Sequence, residues 1–162
     1  MALIIDEAHL IPHKETFEEV LSFRLSGEEY AIRISDIQEI LQDNGVTMVP
    51  RAPTYLKGVT SIRGKIVAII DLNNRLGLKR VNGKRQKIII LFGPKGSIGI
   101  LVDKVAGVLK ISKNGLHPPP VTLTESEANF IEGVVRIQNK FISLLKLEEV
   151  TKIEMMDIHN QT

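Results

Sequence analysis

The chain writes one pattern twice, and that repeat limits its architecture more than any other feature. Residues Tyr55 to Leu72 and Phe130 to Leu147 agree class for class at a constant separation of 75 positions. Both run aromatic, aliphatic, charged, Gly-Val, a short alternating stretch, a two-residue polar turn (Arg63-Gly64 and Gln138-Asn139), a Lys and a second apolar run. Alternation on either side of a two-residue turn predicts a β-hairpin. Upstream, Tyr30, Ile32, Ile34, Ile37 and Ile40 are matched by Ile98, Ile100, Val102, Val105 and Val108 at a separation of 68, which Pro50 and Pro118 also keep. The separations differ by seven, so the second copy is expected to carry extra residues after its proline. The copies span about residues 18–78 and 86–150, joined by the polar linker Lys79 to Gln86. A unit of roughly 60 residues buries too little surface to be secure alone, so the halves are expected to pack on each other.

Composition narrows the class further. With 162 residues, 43% of them hydrophobic, and a formal charge of +2, the chain fits a single globular domain with no general bias toward a polyanion. It has no cysteine, which excludes disulfides, thiolate metal sites and a cysteine nucleophile. The first residues carry Asp6, Glu7 and His9 and form no signal-peptide pattern, and no run approaches the roughly 20 apolar residues of a membrane span. A cytoplasmic protein is expected, with residues 1–16 as a flexible tail, 17–150 as the folded domain and 151–162 as a C-terminal helix and tail.

Short Ile- and Val-rich runs separated by Gly, Pro, Asn and Lys clusters predict an all-β fold, five strands per copy. The expected strands are Val20–Leu25, Glu29–Ile34, Val46–Val49, Gly58–Ile62, Lys65–Asp71, Lys87–Phe92, Ile98–Val102, Val108–Ile111, Gly133–Ile137 and Lys140–Lys146. Ser35-Asp36-Ile37-Gln38 reads as a capping box opening a helical turn, with Asp103 to Ala106 as its counterpart. A longer helix is expected from Leu147 to about Ile158, where Val150, Ile153 and Met156 recur at three-residue steps.

Catalytic chemistry is missing. His9 and His13 have helical spacing, but Pro12 between them breaks the geometry of a two-histidine metal site. Gly93-Pro94-Lys95-Gly96-Ser97 lacks the spacing of a phosphate loop and lies between two strands, so it reads as a hairpin turn. The basic cluster Lys79, Arg80, Lys84, Arg85 and Lys87 is the best nucleic-acid candidate, yet such grooves also need stacking aromatics, and most aromatics here fall at positions that predict burial. Glu39, Arg63 and Asp71 look exposed. A surface charge or turn filler explains each, but their counterparts are Gly107, Gln138 and Lys146, so the fold itself does not demand them.

Read in order, Glu28 to Ile34, Ile37-Gln38-Glu39-Ile40, Val49-Pro50-Arg51-Ala52-Pro53, Leu56-Lys57-Gly58-Val59, Ile62-Arg63-Gly64 and Ile69-Ile70-Asp71-Leu72 resemble the CheW family of chemotaxis adaptors. Gly99 to Asp103, Val105 and Val108 extend the resemblance, which covers roughly Phe17 to Val150. It implies two intertwined five-stranded SH3-like β-barrels with a hydrophobic groove between them and a short C-terminal helix. It also implies a non-catalytic protein without cofactor or metal, bridging the cytoplasmic hairpin tip of a chemoreceptor and the regulatory domain of the histidine kinase CheA. Contacts between CheW copies in array rings are implied as well, and neither nucleic acid nor membrane insertion is. By likeness, Ile37, Glu39, Gly58, Arg63, Val105 and Val108 match the receptor-binding surface and His117 a kinase contact. Ala68 stands where a proline is common, and Asn73 and Asn74 stand where basic residues are common. Two alternatives remain, an adaptor of a non-flagellar array and a single-strand nucleic-acid-binding barrel.

Overall fold

A computed structural model describes residues 15–79, 86–121 and 123–154. Ten strands and three short helices succeed one another: β1 (Phe17–Leu25), β2 (Glu28–Arg33), β3 (Ile37–Gln42), β4 (Leu56–Ile62), β5 (Lys65–Asp71), α1 (Leu72–Arg75), β6 (Lys87–Gly93), β7 (Gly96–Val102), β8 (Lys104–Ser112), α2 (Glu125–Phe130), β9 (Ile131–Ile137), β10 (Lys140–Leu145) and α3 (Leu147–Val150). They form two five-stranded sheets, ordered β8-β1-β2-β10-β9 and β3-β6-β7-β5-β4. Replacing each strand by its counterpart in the other copy turns one order into the other. Each sheet therefore takes its first two strands from one copy and its last three from the other, which is the expected intertwining.

Register repeats with the same fidelity. Phe23 faces Tyr30 as Leu91 faces Ile98, and the parallel pairs Ser143–Tyr30 and Ala68–Ile98 are equivalent. The bridges Thr47–Val59 and His117–Val134 sharpen where the copies differ. They relate Thr47 to His117 at a separation of 70, so the match of Pro50 to Pro118 at 68 is not the structural one. Two extra residues lengthen β8, which runs to Ser112 while β3 stops at Gln42. The other five lie between His117 and Val134, the segment that holds α2.

Three apolar clusters follow from this layout. Val20, Ala31, Ile111, Val135, Ile142 and Leu144 fill one barrel, and Val67, Ile69, Ile88, Ile90 and Leu101 fill the other. The largest cluster, with Phe23, Leu25, Ile32, Ile70, Leu91 and Ile100 among its members, lies on the opposite faces of the same strands and joins the barrels. Alternation decides the division, because successive strand residues point to opposite sides of a sheet. This cluster occupies much of the space where the resemblance implies a hydrophobic groove, and on one side a cleft of about 1000 Å³ stays open.

Several local expectations fail. Ile34–Asp36 is a single 3-10 turn with no side-chain cap, and Ile37 opens strand β3. The pattern Ile37, Glu39, Leu41 is a strand period, and pairing with β6 decides it. Asp103 likewise leads directly into β8. Val46–Val49 contributes one bridge residue, not a strand. The C-terminal helix is one turn, Leu147–Val150; residues 151–154 are not helical and Ile158 lies outside the described residues. Arg75 Nη2 donates to the carbonyls of Glu149 and Lys152 at 3.1 and 3.0 Å, taking acceptors that a longer helix would use itself.

Candidate functional site

The hairpin turn of β4 and β5 places Arg63 and Gly64 at φ of 51° and 80°, the two positive values of a type I′ turn. That geometry carries the Arg63 side chain across the barrel seam to Glu39 on β3, where Nη2 and Oε2 are 2.7 Å apart. Strands β3 and β4 are the two edges of their sheet, so the ion pair ties the edges together. Arg63 remains 73% exposed while the Glu39 side chain is only 17% exposed, and Glu39 Oε1 is buried without a hydrogen-bond partner. The result is a cation held outward over a partly sunk carboxylate. In the other barrel Gly107 and Gln138 occupy these places and the seam stays open, as a cleft of about 260 Å³ with Glu29 and Lys140 at its wall.

The remaining expected contact residues divide. Ile37 and Val105 are equivalent, and each is half-buried against the inter-barrel core from a different sheet. Val108 is 56% exposed, and its equivalent Ile40, which the resemblance did not single out, is 42% exposed. Both lie opposite core residues, Leu21 and Ile89, so each continues the inter-barrel core outward along an edge strand. Gly58 is buried, and a Cβ there would meet the Thr47 carbonyl oxygen at 2.1 Å. It positions the Thr47 bridge and offers no side-chain surface. His117 has an exposed side chain, with its backbone fixed by paired hydrogen bonds to Val134 of 2.9 and 2.7 Å.

Asp71 does not belong to the exposed set. Its side chain is 7% exposed and caps α1 by accepting from the Asn74 amide. Asn73 is 2% exposed and joins the copies: its Nδ2 donates to Asp103 Oδ1 at 2.7 Å and its Oδ1 accepts from Ser26 Oγ at 2.7 Å. The amide both donates and accepts within this buried network, whereas a basic side chain has no acceptor to offer the Ser26 hydroxyl. Of the aromatics, Phe23 and Tyr30 are buried and Tyr55 and Phe130 half-buried, as expected of most, while Phe17, Phe92 and Phe141 are exposed. His9, His13 and Arg80 to Arg85 lie outside the described residues.

Reading single residues missed Arg75. Its guanidinium carbon sits 4.0 Å from the Tyr55 ring centroid and 5.0 Å from that of Phe130. These two aromatics open the repeated segment, so one cation contacts the same position of both copies. Its own counterpart is Val150, and that mismatch between copies was the available signal.

The site is thus two interlocked barrels with an ion pair across the seam of one of them, and no group of three or more metal-ligating side chains occurs among the described residues. The sequence matches the CheW-like domain family over residues 19–154, and the chain belongs to that family. Chemotaxis protein CheW of Rhizobium meliloti (strain 1021) is 32% identical over 133 residues, covering 82% of this chain and 86% of that one. Protein FrzA of Myxococcus xanthus is 29% identical over 123 residues, 74% of each chain. The crystal structure of the scaffolding protein TtCheW from Thermoanaerobacter tengcongensis superimposes with a TM-score of 0.79 at 30% identity, covering 88% of this chain and 93% of that one. The protein is thus a chemotaxis scaffold of the CheW type, not an enzyme. No helix among the described residues is long and apolar enough to cross a membrane.

Proposed function

We propose that this chain couples the cytoplasmic hairpin tip of a chemoreceptor to the regulatory domain of the histidine kinase CheA at the cytoplasmic face of the membrane. The observation that carries the reading is the asymmetric seam. Of the two seams between edge strands, only that of β3 and β4 holds an exposed guanidinium over a sunken carboxylate, so that edge was free to diverge from what the repeat requires. An apolar surface with a few rim charges suits recognition of a helical hairpin, in which apolar contacts supply affinity and charges set register. Ile37, Val105 and Val108 are the apolar candidates, Glu39 and Arg63 the rim, Gly58 the internal support, and His117 the candidate on the kinase side. The output of the array follows from the receptors and kinase it joins, and the likeness to FrzA keeps an adaptor of a non-flagellar array as a second reading.

Co-sedimentation of the full chain with receptor fragment and with kinase, separately and together, tests bridging. Arg63→Glu places two carboxylates at the seam and is expected to abolish receptor binding while kinase binding survives. Normal receptor binding by that variant would overturn the assignment, and failure to bind either partner would overturn the adaptor reading. Gly58→Asp is a poor probe, because its Cβ would collide with backbone.

A further inference from the structure

The inter-barrel core opens on one side into a cleft of about 1000 Å³. Its apolar lining is Leu91, Phe92, Pro94, Ile98 and Leu147, and Phe92 is 63% exposed. Its charged lining is Asp36, Glu132, Glu148 and Glu149 against Arg33 and Lys146. Arg33 is consumed within the protein: its Nε lies 2.9 Å from Glu18 Oε2, and its two terminal nitrogens bind both oxygens of Glu132. Asp36, Glu148 and Glu149 make no ion pair among the described residues. A partly apolar cleft with net negative charge thus lies on a chain whose overall formal charge is +2.

The repeat supplies an internal control. Applying the separations of 68 and 75, the equivalents of Asp36 and Glu132 are Lys104 and Lys57, those of Glu148 and Glu149 are Asn73 and Asn74, and that of Phe92 is Arg24. On that other side the structure is closed by the ends of the linker between the copies. The Leu78 amide binds the Asn73 carbonyl, Ser26 Oγ binds the Lys79 carbonyl, and Gln86 Nε2 donates to Asp103. The cleft that remains there, lined by Lys57, Asp71, Asn73 and Asn74, is about 390 Å³. Neither the acidic residues nor the exposed Phe92 is therefore needed to build the barrels.

We propose that the open cleft docks a basic protein segment that carries an apolar anchor, at a surface lined by neither the Glu39–Arg63 seam nor His117. The floor of Leu91 and Ile98 with Phe92 at the rim takes the anchor, and the unpaired carboxylates select Lys or Arg beside it. Carboxylates lining a partly apolar recess favour a cation more than they would in open water.

Chemical-shift mapping of the full chain tests this, titrated with a short amphipathic peptide of Lys and Leu and with the same peptide carrying Glu for Lys. Saturable shifts are expected at Phe92, Gly93, Leu147 and Glu148 with the basic peptide only, weakening as salt rises. A variant combining Asp36→Lys, Phe92→Arg and Glu149→Asn installs the residues of the equivalent side and is expected to weaken binding at least about tenfold. Phe92→Arg alone carries the comparison if the combined variant does not fold. Equal affinity for the acidic peptide, an unchanged affinity in the variant, or shifts that scatter over the surface without saturating would overturn the proposal.

Discussion

Three glycines separate backbone strain from steric collision, and the repeat makes the comparison internal. Gly58 and Gly107 share a φ of +150°, but an added Cβ at Gly107 has nothing within 4 Å, while at Gly58 it would lie 2.1 Å from the Thr47 carbonyl oxygen and 2.7 Å from its carbon. Gly133 has no positive φ, yet a Cβ there would meet Leu116 Cγ at 2.6 Å and the His117 oxygen at 2.8 Å. Gly107→Ala should therefore cost strain alone, about 1–2 kcal/mol. Gly133→Ala adds collision without strain; overpacking of about 1–3 kcal/mol plus a weakened bridge gives about 2–4 kcal/mol. Gly58→Ala combines both and also disturbs the bridge hydrogen bonds of 2.9 and 2.8 Å between Thr47 and Val59, for about 3–6 kcal/mol. Urea unfolding of the three variants measures the order, with the m-value unchanged if only stability moves. The reasoning fails if Gly107→Ala costs as much as Gly58→Ala, or if Gly58→Ala costs less than about 1 kcal/mol. A receptor-binding defect at Gly58 would then need a contact explanation instead of a folding one.

Three further outcomes follow from the same geometry. A double-mutant cycle of Glu39→Gln and Arg63→Gln should give a stability coupling of only about 0.2–1 kcal/mol that shrinks in high salt, because Arg63 is 73% exposed; a coupling that persists at high salt would contradict the exposed pairing. Arg75→Lys should lose about 1–3 kcal/mol and speed amide exchange in residues 150–154, since an ammonium cannot lie flat between Tyr55 and Phe130 while serving two carbonyls; unchanged exchange would refute the clamp. Tyr30 donates to Glu28 at 3.1 Å, and burial first, then the Glu28 charge, pushes its phenol well above the usual range. The folded state thus favours the protonated phenol. The corresponding stability is complete below the unfolded pKa of about 10 and is lost as pH rises beyond it, by up to about 1.4 kcal/mol per pH unit. Replacing Tyr30 by Phe should remove that component of the alkaline loss, as followed by urea midpoints from neutral to alkaline pH.

Strands were legible where alternation and turn chemistry agreed, as in Tyr55 to Leu72, where Arg63-Gly64 marks the turn; the irregularity between Leu56 and Gly58 was not. Which strands pair was not legible from periodicity. The exchange of β3 to β5 for β8 to β10 depends on contacts between copies, and only the family resemblance anticipated it. Helices were misjudged in both directions for local reasons. Ser35 to Gln38 has cap-like residues but lies next to a strand partner, whereas Thr124 and Glu127 form the complete capping box of α2. That box was readable as Thr-x-x-Glu, but the prolines before it draw attention to a loop. At the site, opposite charges at Glu39 and Arg63 were legible and their mutual pairing was not, because 23 residues of chain separate them. Asp71 looked exposed because a helix cap and a surface charge use the same residue type.

The division of each sheet between the two copies has a consequence for folding. Tyr30 on β2 pairs with Ser143 on β10, so closing one sheet joins positions near opposite ends of the chain. Cutting the chain at Lys79 to Gln86 would give fragments with two strands of one barrel and three of the other, neither with a complete sheet. The protein is in effect a strand-swapped dimer made in one piece. Its halves are expected to unfold in a single transition, and separately expressed halves should gain structure only on mixing.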